Sequence, residues 1–216
     1  MKHRIFIAIN LPEDIKKELQ SYQENIEEKF ASIVDEDKSS SRPFANARVG
    51  EGISEADIIR WTKKDGLHIT LIFLGYLSNE ELAETCQTLK EVAQKYQPFT
   101  ISLKKVAYGP PKKMPPRMVW VLGEKSKTAK LLKEDLEKSL LDSGVHFSLE
   151  EREFTPHITL GRIKTWLWRR IEPEEQPEIS KDITLGFEVN SIEVMESCLK
   201  RGGAEYTILD SALLAE

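Results

Sequence analysis

The sequence offers little that could bind a metal ion or build a disulfide framework. Its two cysteines, Cys86 and Cys198, lie far apart and show neither metal-type nor redox-type spacing. We therefore expect free thiols that pack as small side chains, and a cytoplasmic location where thiols stay reduced. No hydrophobic stretch is long enough to span a membrane, and the apolar run after Arg4 is too short for a signal peptide. These features exclude a disulfide-rich secreted domain and predict no membrane partner.

The sequence also lacks a basic excess, because its formal net charge is -5 at pH 7. That balance argues against binding of long duplex DNA, which needs a broad basic surface. A short anionic ligand could still bind to a local basic patch, and one candidate is the tract 97–123, which contains no acidic residue. Its cations are Lys104, Lys105, Lys112, Lys113 and Arg117. Solvated lysines beside strands explain this tract equally well.

Hydrophobic periodicity predicts strands and helices in alternation, hence an α+β fold. Strands are predicted at 4–9, 58–61, 67–74, 99–106, 118–122, 155–163, 183–199 (one or two) and 205–209. Helices are predicted after Pro12, at 79–96 and at 127–141. The polar tract 35–57 breaks the pattern and predicts a long inserted loop. It suits either a mobile or disordered segment or a lid carrying Arg42 and Arg48.

The two halves of the chain repeat one arrangement of elements. A strand, a helix and a histidine-containing strand occur in that order in each half. The separation from Phe6 to His68 exceeds that from Trp120 to His157 by about the length of the tract 35–57. Removing this tract brings the halves into register. We therefore predict a single domain, 1–216, made of two pseudo-symmetric lobes with a loop inserted near 35–57.

Two of the four histidines lie in identical tetrapeptides, HITL, at 68–71 and 157–160. Successive residues of a strand point to opposite faces, so His68 and Thr70 share one face while Ile69, Leu71 and Phe73 share the other. His157 and Thr159 are paired in the same way. This alternation predicts that one face of each strand packs on the core and that the other lines a solvent-filled cleft. The two polar faces could meet across that cleft.

Paired histidines and threonines suit chemistry at a phosphorus atom. Histidine titrates near neutrality, so one imidazole can accept a proton while the other donates one. The threonine hydroxyls can donate to non-bridging phosphoryl oxygens, where negative charge concentrates. A zinc site fits less well, because no Asp, Glu or Cys accompanies the histidines at ligand spacing. For His3 and His146, which lie outside the repeat, an ordinary packed or surface histidine is the better interpretation.

The sequence resembles the two-histidine (2H) phosphoesterases, and within them the RNA 2′,3′-cyclic phosphodiesterases, formerly called 2′-5′ RNA ligases. The resemblance runs through "RIFIAINLPEDI", "IIRWTKKDGLHITLIFLG", "VAYGPPKKMPPRMVWVLG", "FTPHITLGRIK" and "FEVNSIEVMESCLKRGGAEYTIL". It implies a bilobal α+β fold in which two antiparallel sheets, flanked by helices, surround a central cleft. It also implies metal-independent hydrolysis of a 2′,3′-cyclic phosphate at an RNA end to a 2′-phosphomonoester, with no cofactor.

The resemblance assigns roles to residues of the two motifs. It implies that His68 is the proton donor, that His157 is the proton acceptor, and that Thr70 and Thr159 hold the phosphate. Arg162 matches a family arginine and could pair with phosphate. By strict alternation it faces away from His157, so it needs a bulge or strand end, and a surface ion pair is its competing interpretation.

Further contacts are predicted around the cleft. Tyr108 stands where the family often has Phe and could stack on a base, with core packing as the equal alternative. Lys112, Lys113 and Arg117 could steer an RNA end. Trp61 and Trp120 are expected in the core. Trp166 and Trp168, with Arg169 and Arg170, could form an aromatic and basic helix at the cleft rim.

Three functions fit these observations. The first is hydrolysis of RNA cyclic phosphate ends, and the second is 2′-5′ ligation or the opening of a small cyclic nucleotide phosphate. The third is a non-catalytic nucleotide-binding module, which would not need two proton-transfer groups. The expected partners are thus RNA ends or small nucleotides. We expect a monomer, because the sequence has no heptad pattern or large apolar stripe.

Overall fold

A computed structural model describes residues 2–39, 58–150, 152–200 and 203–215. Its strands are β1 (His3–Asn10), β2 (Ile59–Trp61), β3 (His68–Leu77), β4 (Phe99–Gly109), β5 (Met118–Gly123), β6 (His157–Ile163), β7 (Ser180–Val189), β8 (Ser191–Lys200) and β9 (Gly203–Leu213). Its helices are α1 (Glu13–Ser39), α2 (Asn79–Ala93), α3 (Lys127–Asp142) and the short α4 (Thr165–Trp168), with a 3-10 turn at Lys64–Gly66. The α+β class is confirmed.

The strands form one nine-stranded sheet in the order β7-β4-β5-β6-β3-β1-β8-β9, with β2 paired to β6. The two predicted sheets are therefore the two halves of a continuous antiparallel sheet. They join where β3 pairs with β6 through Ile69 and Ile158. This junction puts the two histidine strands next to each other at the centre of the molecule.

Two of the helices, α2 and α3, begin where the sequence supplies a side-chain cap. At α2, Ser78 and Glu81 form a capping box: the Ser78 hydroxyl accepts from the Glu81 amide, and the Glu81 carboxylate accepts from the Ser78 amide. At α3, the Ser126 hydroxyl accepts from the Ala129 amide. Such caps satisfy amides that have no partner within the helix.

The two faces of the sheet differ in character. One carries the main apolar core, to which β1 contributes Ile5, Ile7 and Ile9. The other bears a separate small cluster of Phe6, Ala8 and Met195, against which Tyr206 packs. Because strand residues alternate between faces, this second face is also that of His68 and Thr70. We call it the site face.

The first helix is longer than the sequence predicts. It continues to Ser39, so the assignment of residues 35–39 to a loop is wrong. Glu36 and Lys38 are good helix formers, and adding residues to an established helix is easier than starting one, so α1 can extend through this segment. Residues 40–57, with Arg42 and Arg48, lie outside the described residues, and the predicted lid or disordered segment there stays a prediction.

Candidate active site

The four residues of the paired motif lie on two adjacent antiparallel strands. The pairing of Ile69 with Ile158 fixes the register. It follows that His68 is opposite Thr159, and Thr70 is opposite His157. Side chains directly opposite on one face have Cβ atoms about 5 Å apart. All four are half-buried, whereas both isoleucines are fully buried beneath them. The two motifs thus form one compact site.

Each histidine strand contains a bulge at the last residue of its tetrapeptide. In β3, Thr70 pairs with Ala8 but Ile72 pairs with Ile7, which leaves Leu71 as the extra residue. In β6, Thr159 pairs with Trp120 but Gly161 pairs with Val119, which leaves Leu160 as the extra residue. A bulge reverses the facing of the residues that follow it.

The β3 bulge corrects one prediction of side-chain direction. Strict alternation puts Phe73 on the core face, yet it pairs with Phe6 on the site face. Their rings lie 6.2 Å apart, and Phe73 is 61% exposed. The assignment of Phe73 to the core face is therefore wrong, because one inserted residue shifts the period of two.

The β6 bulge brings Arg162 into the site. It pairs with Met118, two positions from Trp120 in β5, while the neighbouring Val119 is fully buried in the core. Arg162 is exposed on the site face, and Ile163 returns to the core. Among the described residues, no carboxylate lies within ion-pair distance of Arg162. The phosphate-facing interpretation of Arg162 requires a bulge, and the structure contains one. The structure therefore favours that interpretation over a surface ion pair.

A buried glutamine of α1 holds this bulge. The Gln23 side-chain amide donates to the Leu160 carbonyl at 2.8 Å and to the Thr62 carbonyl at 2.9 Å. The Thr62 amide also donates to the Leu160 carbonyl, at 2.8 Å. Carbonyls that leave the regular ladder at a bulge need such partners. Sequence reasoning missed Gln23, because its function depends on contacts far away in the chain.

A backbone carbonyl orients each imidazole in the same way. His68 Nδ1 lies 2.8 Å from the Gly66 carbonyl oxygen, and His157 Nδ1 lies 3.0 Å from that of Thr155. A carbonyl can only accept, so each Nδ1 carries a hydrogen and donates it. In the neutral imidazole, Nε2 is then the basic nitrogen. His68 Nε2 lies 3.1 Å from the Thr70 hydroxyl oxygen.

His68 lies between two aromatic rings. Phe6 is 4.9 Å away, centroid to centroid, and Tyr206 is 5.0 Å away in an edge-on arrangement. Burial is the main reason that the pKa of His68 is lowered to about 4. The hydrogen bond to the Gly66 carbonyl raises this pKa, and the positive charges of His157 and Lys16 lower it further. His68 is therefore neutral at pH 7 in the free protein.

His157 has a different aromatic neighbour. The ring of Trp120 lies 4.2 Å from the His157 ring with an interplanar angle of 36°. Trp120 is half-buried on the site face, and its indole N–H lies 3.2 Å from the Met118 sulfur. The prediction that Trp120 belongs to the core is wrong, because it lies on the face opposite to Val119 and Val121. Trp61, as predicted, packs against the core.

Tyr108 lies on the core side of the sheet. It pairs with the buried Val119, its ring meets Trp168 edge-on at 5.1 Å, and its hydroxyl donates to the Pro177 carbonyl at 2.5 Å. Burial raises the pKa of Tyr108 above its ordinary value. The packing alternative therefore explains Tyr108, and the structure contradicts base stacking, because its ring lies on the opposite face from the histidines.

The remaining predicted contacts lie at the edge of the site. Lys112, Lys113 and Arg117 are exposed on the β4–β5 connection, which ends beside Arg162. None of the three forms a hydrogen bond with the four motif side chains. In the predicted rim helix, Trp166 is exposed under the Arg170 guanidinium, 5.1 Å from its ring. Trp168 is instead buried in the core, packed against Phe30.

The described part of the chain, 2–39, 58–150, 152–200 and 203–215, contains neither a metal-type cluster nor a membrane-spanning helix. No group of three or more His, Cys, Asp or Glu side chains there is placed to hold a metal ion. No helix in the same residues is long and apolar enough to cross a membrane.

The known proteins that this chain is similar to in sequence are phosphoesterases. A family model described as LigT like Phosphoesterase matches residues 47–120. An RNA 2′,3′-cyclic phosphodiesterase of Methanocaldococcus jannaschii is 28% identical over 207 residues, which are 95% of this chain and 98% of that protein. One from Aeropyrum pernix is 32% identical over 173 residues, 76% of this chain and 91% of that protein.

Solved structures share the fold. The crystal structure of TT0787 from Thermus thermophilus superimposes with a TM-score of 0.70 at 25% identity, covering 98% of this chain and 97% of that one. Escherichia coli LigT complexed with 3′-AMP gives a TM-score of 0.66 at 22% identity, with full coverage of both chains. From this sequence match and this shared fold we conclude that the chain belongs to the LigT-like family of two-histidine phosphoesterases.

Proposed function

We propose that the chain hydrolyses 2′,3′-cyclic phosphates at RNA ends to 2′-phosphomonoesters, without a metal ion, as a cytoplasmic monomer. One observation carries the proposal. His68 and His157 lie on one face of adjacent strands, and a backbone carbonyl fixes Nδ1 of each ring. Nε2 is thereby the nitrogen of each ring that can exchange a proton with a ligand, and in His68 it accepts a hydrogen bond from the Thr70 hydroxyl until a ligand binds.

The reaction is an in-line displacement at phosphorus. One Nε2 removes a proton from water, whose oxygen attacks the phosphorus atom. The bond from phosphorus to the 3′ oxygen breaks, and the protonated Nε2 of the other histidine gives its proton to that leaving oxygen. The product is a 2′-phosphomonoester with a free 3′ hydroxyl, and the two histidines have exchanged protonation states.

The other site-face groups stabilise charge on the phosphate. Thr70 and Thr159 are directly opposite the two histidines in the register. The Thr159 hydroxyl is placed to donate to a non-bridging oxygen, and the Thr70 hydroxyl can do so once His68 Nε2 is protonated and no longer accepts from it. Arg162 adds a permanent positive charge on the same face and can donate two parallel hydrogen bonds. These groups act most strongly where negative charge grows, in the transition state.

The electrostatics of the free protein bear on the direction of proton transfer. The family resemblance assigns His68 as the donor and His157 as the acceptor. A pKa of about 4 means that His68 starts neutral at pH 7. The donor role therefore requires the bound anionic phosphate to raise this pKa, because an opposite charge nearby favours the imidazolium. We keep this assignment as part of the proposal.

The test uses an oligoribonucleotide with a 2′,3′-cyclic phosphate end, incubated with the protein in EDTA. We expect a 2′-phosphomonoester from the wild type and a loss of kcat of about 100-fold or more in His68→Ala and in His157→Ala. The phosphate position is identified by phosphorus NMR.

The other two histidines provide matched controls. His146 is exposed and His3 contacts Glu196 away from the site, so His146→Ala and His3→Ala should turn over normally. Full activity in either motif variant would contradict the mechanism. Turnover of mononucleotide cyclic phosphates alone would instead support a small-molecule hydrolase, and joining of two RNA ends would support ligation.

A further inference from the structure

A second arginine lies beside Arg162 on the site face. Strand β2 pairs antiparallel with β6, and the register puts Arg60 opposite Arg162. Both side chains are exposed, whereas Ile59 and Ile163, the adjacent residues of the two strands, are buried. Residues opposite each other point to the same face. Arg60 therefore faces the site, although no feature of the sequence marks it.

Close packing holds β2 in this register. Trp61 is opposite Gly161, and a Cβ atom at Gly161 would come within 2.6 Å of Ile59 Cγ2 and 2.8 Å of Trp61 Cε3. Only a glycine allows the two side chains to approach this strand so closely. The Lys164 amide also donates to the Ile58 carbonyl at 2.9 Å. The position of Arg60 is thus set by its neighbours rather than by its own contacts.

The end of the β8–β9 hairpin lies on the other side of Arg60. A Cβ atom at Gly203 would lie 3.8 Å from Arg60 Cδ and Nε and 4.0 Å from Cζ. Three residues further along β9, Tyr206 contacts His68. The Arg60 side chain therefore extends across the gap between the two halves of the sheet, towards the half that holds His68.

Two like charges in direct opposition repel each other unless an anion lies between them. Within the described residues, no carboxylate lies at ion-pair distance from Arg60 or Arg162. Glu205, next to the hairpin end, is already paired with Lys63 at 3.4 Å and with Lys200 at 2.6 Å. The guanidinium pair is thus open to a ligand, and arginine forks are well suited to phosphate.

The pair lies at a distance from the reacting centre. On β6, Arg162 follows Thr159 by three residues, which at roughly 3.3 Å per residue is about 10 Å along the strand, less the shortening at the bulge. Arg60 lies one strand over from Arg162. The long Arg162 side chain can reach back to a cyclic phosphate between the histidines, which leaves Arg60 without an anion, whereas a polynucleotide has a second phosphate next to its terminal one.

We propose that Arg60 binds the phosphodiester that joins the terminal nucleotide of the RNA to the nucleotide before it, while Arg162 serves the terminal cyclic phosphate. Arg60 is then a specificity-determining residue, which favours oligonucleotide ends over mononucleotide cyclic phosphates. This inference rests on the proposed function.

The experiment compares two substrates, adenosine 2′,3′-cyclic phosphate and a triadenylate with a 2′,3′-cyclic end. In Arg60→Ala, the ratio of kcat/KM for the trinucleotide to kcat/KM for the mononucleotide should fall about tenfold, the value of one charge-assisted hydrogen bond. Arg60→Lys should retain part of the ratio, because it keeps the charge but loses the fork. Lys138→Ala, an exposed cation on α3, should leave both values unchanged.

A second readout does not depend on catalysis. Fluorescence anisotropy follows binding of a labelled triadenylate 3′-phosphate at several salt concentrations. Arg60→Ala should reduce the slope of log K against log salt by about 0.7, the value for one lost contact with a single strand. Lys138→Ala should keep the slope.

The outcomes separate the two proposals. Equal losses on both substrates would overturn the inference, since they would place Arg60 on the reacting phosphate. An unchanged ratio and an unchanged salt slope would overturn it as well. If the wild type hydrolyses neither substrate, the proposed function fails, and the salt slope alone decides whether Arg60 binds a phosphate of the strand.

Discussion

The His68 half and the His157 half use the same backbone device for different side chains. Each has a tetrapeptide HITL with a bulge at its last residue, Leu71 or Leu160. Two positions after the bulge, the His68 half presents Phe73 on the site face and the His157 half presents Arg162. The His68 half places the rings of Phe6 and Tyr206 beside its histidine. The His157 half places one ring, Trp120, beside its histidine and adds a cation on the same face.

This difference shows that the backbone geometry of the two halves is shared, whereas the side chains that it presents differ. The bulge turns the strand so that one more side chain reaches the site face, whatever that side chain is. Rings around His68 remove it from water and lower its pKa to about 4. The Arg162 guanidinium lies beside the His157 motif, where we propose that it supplies charge for the phosphate. Two similar strands thereby place their histidines in different surroundings.

The largest expected effect comes from replacing Arg162, two positions after the β6 bulge, and the comparison is with Phe73, its counterpart in β3. Arg162→Ala should lower kcat/KM for an RNA cyclic phosphate roughly 100-fold, as expected for loss of a group that stabilises transition-state charge. Phe73→Ala should change it by no more than about threefold, the usual range for an exposed side chain. Steady-state kinetics measure both, and Arg162→Lys should recover part of the activity. Equal losses in the two alanine variants would contradict this asymmetry.

An intermediate effect is expected from the glutamine that supports the β6 bulge. Gln23→Leu removes two hydrogen bonds, to the Leu160 and Thr62 carbonyls. It should lower the free energy of unfolding by about 2 kcal/mol and should also reduce kcat, because Arg162 is then held less firmly. Denaturant titration and kinetics test this. The control is Gln20→Leu on the same helix, and a loss of stability with normal kcat would rule out a positioning role.

The last effect concerns stability alone: it is the pH dependence that His68 contributes. Its folded-state pKa of about 4 is below the unfolded value of 6.5, so the unfolded chain binds more protons between these values. Stability is therefore lost as pH falls from about 6.5 to about 4, by at most about 1.4 kcal/mol per pH unit. Urea titrations at pH 7 and pH 4.5 should show a smaller loss in His68→Gln than in the wild type or in His146→Gln. Identical losses in all three proteins would contradict burial of a neutral His68.

The sequence predicted strands and helices well wherever the spacing of apolar residues stays regular along the whole element. Strand β1, with Ile5, Ile7 and Ile9 on the core face, and helix α2, with its capping box, follow directly from alternation and capping. The predictions of side-chain direction that failed have two causes. Phe73 was assigned to the wrong face because of a bulge. Trp120 was assigned to the wrong face, and Tyr108 was left with two alternatives, because aromatic rings suit either face of a half-buried sheet.

The amino-acid sequence alone determined the pairing of His68 with Thr70 and of His157 with Thr159, because residues two apart on a strand share a face whatever surrounds them. It also determined that the two strands are equivalent, through the identical tetrapeptides. Only the tertiary structure decided which other side chains join them. Arg60 and Tyr206 reach the site through the strand register and the β8–β9 hairpin, and Gln23 supports it from α1 by binding the β6 bulge. These are long-range contacts, and no local period in the sequence encodes them.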